Sequence, residues 1–262
     1  MHDTVKKLIS SGFEIGVHGI DAWHDIELAR QELLRINDVT GRSDIGIRSH
    51  WLCFDNNSPQ ILEQAGFSYD STFGYNDAVG YRAGSSQLFK PIGVKNILEL
   101  PLHIQDTALF NSKRMNLPET EAEELCRKMI KTASTYGGAL TILWHQRSLG
   151  PERLLEEFYI KLIAELKARN VWFATAIQAV NWTIKRRAVT FEKAEFNNNI
   201  LTIKLKNNVH DIYPELLLRI FHTDCKELEF KNATIKPKNF IEIPLKDETI
   251  FNIDLRNISY EN

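Results

Sequence analysis

The sequence has 262 residues, of which 43% are hydrophobic and 25% are charged, and its formal net charge is −2 at pH 7. A chain of this length and composition can bury one large core, or a large core and a small one. Because the two signs of charge nearly balance, the chain lacks the basic field on which nucleic-acid binding depends, and no nucleic-acid partner is expected.

Residues 1–184 alternate helical and strand-like patterns, which is typical of an α/β domain. The periodicity is clearest over 26–40, where apolar residues recur about every 3.6 positions and Gly41 can end the helix. The predicted elements, in chain order, are a helix at 5–9, a strand at 13–17, a helix at 26–40, a strand at 45–48, a helix at 59–65, a strand at 67–70, a strand at 97–102, a helix at 118–136, a strand at 139–144, a helix at 151–169, a strand at 171–175 and a helix at 176–185.

A long loop, 71–93, interrupts this alternation and is rich in glycine, tyrosine and serine. Loops of this length in a compact domain are usually functional or disordered. The loop contains Tyr75, Tyr81 and Arg82, which we take as candidate binding residues. Arg82 could bind an anionic group of a substrate, or it could hold the loop through backbone carbonyls.

The pattern changes after the basic run 185–187, which we interpret as a solvated junction. Short β-like stretches then alternate with residues that favour turns, and they predict a small all-β, sandwich-like domain over 185–262. These stretches are 191–196, 200–205, 216–221, 228–230, 240–244 and 250–255.

Segment 16–25, which follows the first predicted strand, concentrates groups that bind metals or transfer protons. It contains His18, Asp21, His24 and Asp25. Histidine is the commonest metal ligand and titrates near neutral pH, so two imidazoles in one loop can act together. The segment is therefore a candidate metal or proton-transfer site.

Polar residues also stand at the carboxyl ends of the later strands, where α/β folds place functional groups. A single histidine is more often a structural hydrogen-bonding group than a ligand, but a convergence at successive strand ends indicates a site. Along the chain the strand ends supply His18, Arg48, His50, Asp70, His103, Asp106 and His145.

Two of these segments resemble the polysaccharide deacetylases, also known as the NodB-homology or carbohydrate esterase family 4 group. Residues 12–18 read Gly-Phe-Glu-Ile-Gly-Val-His and resemble the family strand that carries the first metal histidine. Residues 140–145 resemble the late apolar strand that ends in the catalytic histidine, and 171–175 resemble the strand that closes the barrel. The order and spacing of the motifs agree over about 4–182.

The resemblance implies an α/β fold, an incomplete (β/α) barrel of the NodB-homology type over 1–184, followed by the small β domain. It implies a hydrolase that removes N- or O-acetyl groups from a carbohydrate with a divalent metal, most often Zn²⁺. By position, His18 is a metal ligand, His145 is the general acid, and Arg48 orients catalytic carboxylates. Asp21 is a further catalytic, supporting candidate.

The sequence departs from the family pattern at the second metal histidine. The position four residues after His18 is Ala22, and His24 lies two residues further on. We expect His24 to reach the same metal through a looser loop. The family arginine segment is replaced by Arg48-Ser49-His50-Trp51, and His50 is a candidate substrate-binding residue.

The Asp-Asp motif of the family precedes the opening helix and has no counterpart in this sequence. We therefore expect an N-terminally truncated barrel, a fragment whose activity is impaired. The alternative is a non-catalytic carbohydrate-binding or scaffolding remnant. A second enzymatic alternative keeps the same site and hydrolyses a small cyclic amide or ureide.

Aromatic residues near the expected site could stack on sugar rings, and they could equally pack in the core. For Trp144, which lies inside an apolar strand, core packing is the favoured interpretation, whereas for the loop tyrosines the two are even. These aromatic candidates are Trp23, Trp51, Tyr75, Tyr81 and Trp144.

The three cysteines are far apart and form no CxxC pair, so neither a disulfide framework nor a thiolate zinc site is expected. No apolar stretch is long enough for a membrane span, and the start of the sequence lacks the pattern of a signal peptide. The expected location is the cytoplasm.

Overall fold

The computed structural model describes residues 2–206, 212–221, 240–245 and 249–254. The chain separates into two compact units, Met1–Val180 and Asn181–Asn262. The described helices are α1 (His2–Ser10), α2 (Ile26–Thr40), α3 (Ser58–Ala65), α4 (Asp106–Phe110), α5 (Glu119–Tyr136), α6 (Gln146–Leu149), α7 (Glu156–Ala168) and α8 (Ala176–Ala188). The described strands are β1 (Val17–Gly19), β2 (Gly46–Ser49), β3 (Tyr69–Asp70), β4 (Leu98–Glu99), β5 (Leu102–Gln105), β6 (Thr141–Leu143), β7 (Thr190–Asn197), β8 (Ile200–Lys206), β9 (Leu217–Phe221), β10 (Phe240–Pro244) and β11 (Ile250–Asp254).

Helix α2 has both of its ends specified by the sequence. The carboxylate of Asp25 accepts hydrogen bonds from the backbone N–H groups of Glu27 and Leu28 at 2.8 and 2.9 Å, which satisfies two donors of the first turn. Gly41 ends the helix with a φ of 69°, a left-handed conformation that favours glycine. Asp25 is thus occupied as a helix cap.

The first four strands form one parallel sheet in the order β1-β2-β3-β4. Their carboxyl ends therefore lie at the same edge of the sheet, where His18 pairs in register with Arg48, and Asp70 with Glu99. After a break at Leu100 and Pro101, β5 pairs in parallel with β6. The predicted strand 97–102 is thus two strands, because proline offers no N–H to a ladder.

Two of the cores in the first unit support these sheets. One lies between the four-stranded sheet and helices α2 and α3, and its buried members include Ile47, Leu62 and Ile97. The other surrounds β5, α5 and α7 and includes Ile104 and Phe158. Apolar faces of helices thus pack against each sheet, and this packing fixes the positions of the strand ends.

The predicted mixed α/β class with parallel strands is confirmed, while closure into a barrel remains a prediction. The predicted strand 171–175 is wrong, since these residues adopt no regular structure and the side chains of Val171 and Phe173 are exposed. Strand β6 was expected to be buried on both faces. Its three residues are only half-buried, because within the described residues β6 pairs with β5 alone.

The described part of the second unit contains β7 to β11, all in antiparallel pairs. Strand β8 lies between β7 and β11, and β9 pairs with β10. Ile203, Leu218 and Phe251 are among its buried residues. The predicted stretch 228–230 lies outside the described residues, and the sandwich-like arrangement remains a prediction. Among the described helices, none combines the length and apolar character that a membrane span requires.

Candidate active site

His18 is placed at the sheet edge by the alternation of β1. Val17 and Gly19 are buried, so the side chain of His18 between them points to the exposed face. A Cβ atom on Gly19 would lie 2.7 Å from the Cδ1 atom of Ile47, which explains a glycine there. Glu32 of α2 then accepts the backbone N–H groups of Ile20 and Asp21, which fixes the start of the following loop.

The imidazole of His18 has one nitrogen engaged and one open. Its Nδ1 lies 3.2 Å from the carbonyl oxygen of Arg48, an acceptor, so Nδ1 carries the proton and Nε2 presents its lone pair. The ring of His50 stands at 90° to that of His18, with the centroids 5.1 Å apart. The sheet edge thus brings together the imidazole of β1 and that of the turn after β2.

Burial lowers the pKa of His18, and the nearby ring of His50 lowers it further. Weaker contributions in the same direction come from Arg48 and His145. The ring contact joins His18 to His50. His145 follows β6, which pairs with β5 in a separate sheet, and its convergence with the other two histidines remains a prediction.

His24 and Asp21 form a separate pair in the loop after β1. The His24 Nε2 and Asp21 Oδ1 atoms are 3.4 Å apart, and both side chains are about half exposed. The ring of His24 also meets that of Trp23 edge to face, at 4.5 Å between centroids. Among the contacts of the described residues, none joins His24 to His18.

His145 forms a close pair with a buried carboxylate, Asp106. The His145 Nδ1 and Asp106 Oδ1 atoms are 2.6 Å apart, and Asp106 also accepts the backbone N–H of His145 and the hydroxyl of Ser148. Asp106 is fully buried, whereas the His145 side chain is 36% exposed. The carboxylate fixes the ring and directs Nε2 away from the core.

The burial of Asp106 opposes its ionisation, but the hydrogen bonds from His145 and Ser148 outweigh burial and lower its pKa. Asp106 is therefore a carboxylate at neutral pH. Such a partner selects the His145 tautomer with a proton on Nδ1 and stabilises the charged ring if Nε2 gains a proton. This arrangement suits an imidazole that transfers protons.

Arg48 supports the sheet edge from β2. Its Nε and Nη2 groups donate to the carbonyl and hydroxyl oxygens of Ser71, at 2.9 and 2.8 Å. Next to it, Asp70 and Glu99 lie buried on adjacent strands. Burial raises the pKa of Asp70 to about 6, and burial together with the Asp70 charge raises that of Glu99. Because both pKa values are raised, the pair retains a proton at a higher pH than two exposed carboxyl groups would. Both carboxyl groups are buried, so a substrate in solvent cannot reach them.

The four binding candidates from the loop and from β6 have different surroundings. Tyr75 is 41% exposed, whereas the Tyr81 hydroxyl donates to the carbonyl of Met129. Arg82 donates to the carbonyl of Gly74, as expected for a loop-holding role. Trp144 stacks on Phe158 and contacts Phe110 and Tyr159 in the core. Tyr75 and Arg82 are thus the exposed residues among the four, and Tyr81 and Trp144 are partly buried.

A metal of the expected kind would find part of its ligand set at this edge. Within the described part of the chain, no three histidine, cysteine or carboxylate side chains come together as a ready metal site. His18 does fit, because an imidazole whose Nδ1–H is bound by a backbone carbonyl is oriented for ligation through Nε2. His18 is therefore a side chain at this edge whose hydrogen bonding suits metal ligation.

Sequence reasoning missed the role of Asp106, which had been noted only as a strand-end residue. Asp106 and His145 are 39 positions apart in the chain, so spacing gives no sign of their pairing. The one available signal was a carboxylate directly between a buried strand and the apolar run 108–110. A charge in such a place is paired or hydrogen-bonded.

Comparisons with known proteins show a similarity over part of the sequence and a similarity in fold. No family model matches the sequence. The chain is 33% identical over 94 residues to a peptidoglycan deacetylase of Helicobacter pylori, and the match covers 32% of each protein. Its fold is similar to that of a solved structure from Mycobacterium smegmatis that is provisionally described as a polysaccharide deacetylase. The TM-score is 0.54 at 22% identity, over 71% of this chain and 68% of the other.

Proposed function

This chain is related to the polysaccharide deacetylases, and from that relationship we propose that it is a hydrolase that removes acetyl groups from a carbohydrate with the help of a divalent metal. The observation that carries the proposal is the buried Asp106 carboxylate, 2.6 Å from His145 Nδ1. Asp106 directly follows β5 and His145 follows β6. In the proposed reaction His145 transfers a proton and His18 holds the metal.

His145 is the general acid of the proposed reaction. With its Nδ1–H held by Asp106, its Nε2 can give a proton to the departing amine or hydroxyl of the sugar. Asp106 acts through His145, because it is buried and touches the ring rather than a substrate. Ser148 donates its hydroxyl to Asp106 and keeps the carboxylate in place.

His18 is the first ligand of the proposed metal, for which zinc is the expected ion. A bound divalent metal supplies Lewis acidity toward an acetyl carbonyl and toward water. The Nδ1 hydrogen bond of His18 to the Arg48 carbonyl keeps the ring in the orientation that ligation needs. Arg48, bound to Ser71, holds the neighbouring strand end from which that carbonyl comes.

The proposed substrate is an N-acetylated glycan. Trp51 and Tyr75 are 67% and 41% exposed, and an exposed aromatic ring can stack on a sugar face. Trp51 directly follows His50 and contacts its ring, so a sugar stacked there would lie beside the two histidines. The relative from Helicobacter pylori is described as acting on peptidoglycan, a polymer of N-acetylated sugars.

The proposal is tested by the release of acetate from an N-acetylglucosamine oligosaccharide in the presence of zinc. The His145→Ala variant is expected to lower kcat by about 10²- to 10⁴-fold, the usual contribution of general acid–base catalysis. Tyr136→Ala, a change at an exposed ring of α5, serves as the matched control and keeps the wild-type rate.

A wild-type chain that binds the oligosaccharide without releasing acetate would overturn the proposal. That result would instead support the non-catalytic carbohydrate-binding alternative. Equal rates for wild type and His145→Ala would also contradict the proposed role of the Asp106–His145 pair.

A further inference from the structure

Part of the long loop lies along strand β5. The backbone N–H of Leu102 donates to the carbonyl of Phe73 at 3.2 Å, and the backbone N–H of Gly80 donates to the carbonyl of His103 at 3.0 Å. Tyr75, whose ring is exposed, stands between these two attachments. The segment that carries this ring is therefore joined to β5 on both sides of it.

The buried amide of Gln105 binds the same segment at Tyr75 itself. Its Nε2 group donates to the carbonyl oxygens of Tyr75 and Asn76, at 2.7 and 3.3 Å. Gln105 is the last residue of β5, and only 3% of it is exposed. A buried amide is costly unless its polar atoms are hydrogen-bonded, and here the nitrogen has two acceptors. The backbone from which the Tyr75 ring projects is thus fixed to the end of β5.

The other end of this amide is joined through Thr107 to the Asp106–His145 pair. The Thr107 hydroxyl donates to Gln105 Oε1 at 2.7 Å. The backbone N–H of Thr107 donates to Asp106 Oδ1, the same atom that bonds His145. Arg114 Nη1 donates to the Thr107 hydroxyl oxygen at 2.7 Å, which leaves the hydroxyl proton for Gln105. The amide oxygen therefore points to Thr107 and the amide nitrogen to the loop.

The register of β5 and β6 places Gln105 next to the proton-transfer pair. Gln105 pairs with Leu143, so that Asp106, one residue later on β5, meets His145, two residues later on the other chain segment. A single buried side chain thus contacts both the backbone under the exposed ring and the turn that carries the pair.

We propose that Gln105 is a positioning residue of the hydrolase, which holds Tyr75 in place as a ring on which the sugar stacks. The inference rests on the proposed function and adds which buried side chain sets the geometry of the substrate site. Gln105 acts through the Tyr75 backbone and does not touch the substrate, because it is buried. Its removal should therefore weaken sugar binding and leave the Asp106–His145 pair in working order.

The test compares KM and kcat for acetate release from an N-acetylglucosamine oligosaccharide in the wild type, Gln105→Met, Tyr75→Ala and the double variant. Gln105→Met keeps much of the side-chain volume but removes the N–H donors. We expect KM to rise by about tenfold, as for the loss of one or two hydrogen bonds, with kcat and its pH profile unchanged. In the Tyr75→Ala background the same change should add little, because the ring that Gln105 positions is gone.

Gln87→Met is the matched control, since Gln87 is an exposed glutamine of the same loop, and it should keep the wild-type KM and kcat. Thermal unfolding identifies any variant that does not fold. If Gln105→Met is such a variant, Gln105→Glu replaces it with the same expected rise in KM, because a carboxylate keeps the acceptor for Thr107 but has no N–H donor.

The outcomes separate this inference from the function on which it rests. An unchanged KM in folded Gln105→Met, or a full tenfold effect in the Tyr75→Ala background, overturns the role of Gln105 and leaves the hydrolase in place. A lower kcat with a shifted pH profile also overturns it, because Gln105 would then act on His145 rather than on the loop. A wild-type chain that releases no acetate overturns both.

Discussion

His103 is a buried histidine that the proposed chemistry does not use. It lies in β5, where its Nδ1 accepts the backbone N–H of Thr141 at 3.2 Å and its ring packs on that of Tyr81. Burial lowers the pKa of His103 to about 4, and a hydrogen bond with the Ser85 backbone opposes this effect. The neutral ring is therefore part of the link between β5 and β6.

This burial predicts a pH-dependent stability. The unfolded chain takes up a proton on His103 near pH 6.5, whereas the folded chain does so only near pH 4. Stability is therefore lost as the pH falls between these values, by on the order of 3 kcal/mol. We expect urea unfolding of His103→Gln to depend less on pH across this interval than that of the wild type.

The comparison is internally controlled, because Asp70 and Glu99 titrate in both proteins. Their raised pKa values act in the opposite direction, favouring the folded state as the pH falls, and they cancel when the two proteins are subtracted. Parallel pH curves for wild type and His103→Gln would show that His103 does not carry this effect.

At the site, the sequence identified individual groups but not their partners. His18 and His145 are predicted because each stands at the end of an apolar strand-like run, where α/β folds place functional groups, and their roles remain predictions. The pairing of Asp106 with His145, and of His50 with His18, could not, because both pairs form between segments that are distant in the chain. His24 was predicted from local spacing, whereas the fold of its loop turns it toward Asp21.

At the scale of elements, Trp144 joins the end of β6 to helix α7. Its ring is nearly parallel to that of Phe158, with an angle of 11° and 5.8 Å between centroids, and it contacts Tyr159 as well. We expect Trp144→Ala to lower the free energy of unfolding by about 3 kcal/mol, the low end of the range for a large core side chain, because the ring is partly buried. Tyr75→Ala, at an exposed loop ring, should change it by no more than about 0.5 kcal/mol.

Urea unfolding of the two variants decides between the core and sugar-stacking interpretations of Trp144. A small effect of Trp144→Ala on stability, together with weaker binding of an N-acetylglucosamine oligosaccharide, would support the sugar-stacking interpretation of Trp144 and contradict the core interpretation.

The sequence predicted helices better than strands. Helices α2 and α5 lie within two residues of their predicted bounds, because an apolar face and end residues such as Asp25 and Gly137 are local signals. Strands depend on partners that the sequence does not reveal. Residues 171–175 have the composition of a strand, yet Phe173 is 50% exposed and the segment has no regular structure.

At the scale of the whole molecule, a local similarity in sequence accompanies a broader similarity in fold. The sequence match to the deacetylase from Helicobacter pylori covers about a third of each protein, and the fold match covers 71% of this chain. The proposed deacetylase activity therefore depends on what the side chains of this chain can do chemically. The Asp106–His145 pair is the most informative of them, because the buried carboxylate orients the imidazole for proton transfer.

The most direct test of the account is a double-mutant cycle on acetate release from an N-acetylglucosamine oligosaccharide, with Asp106→Asn, His145→Ala and the double variant. Residues that act as one unit are strongly non-additive, so we expect each single change to reduce kcat and the double variant to be no slower than His145→Ala alone. A double variant slowed by the product of the two single effects, or a wild-type chain that releases no acetate, would contradict the account.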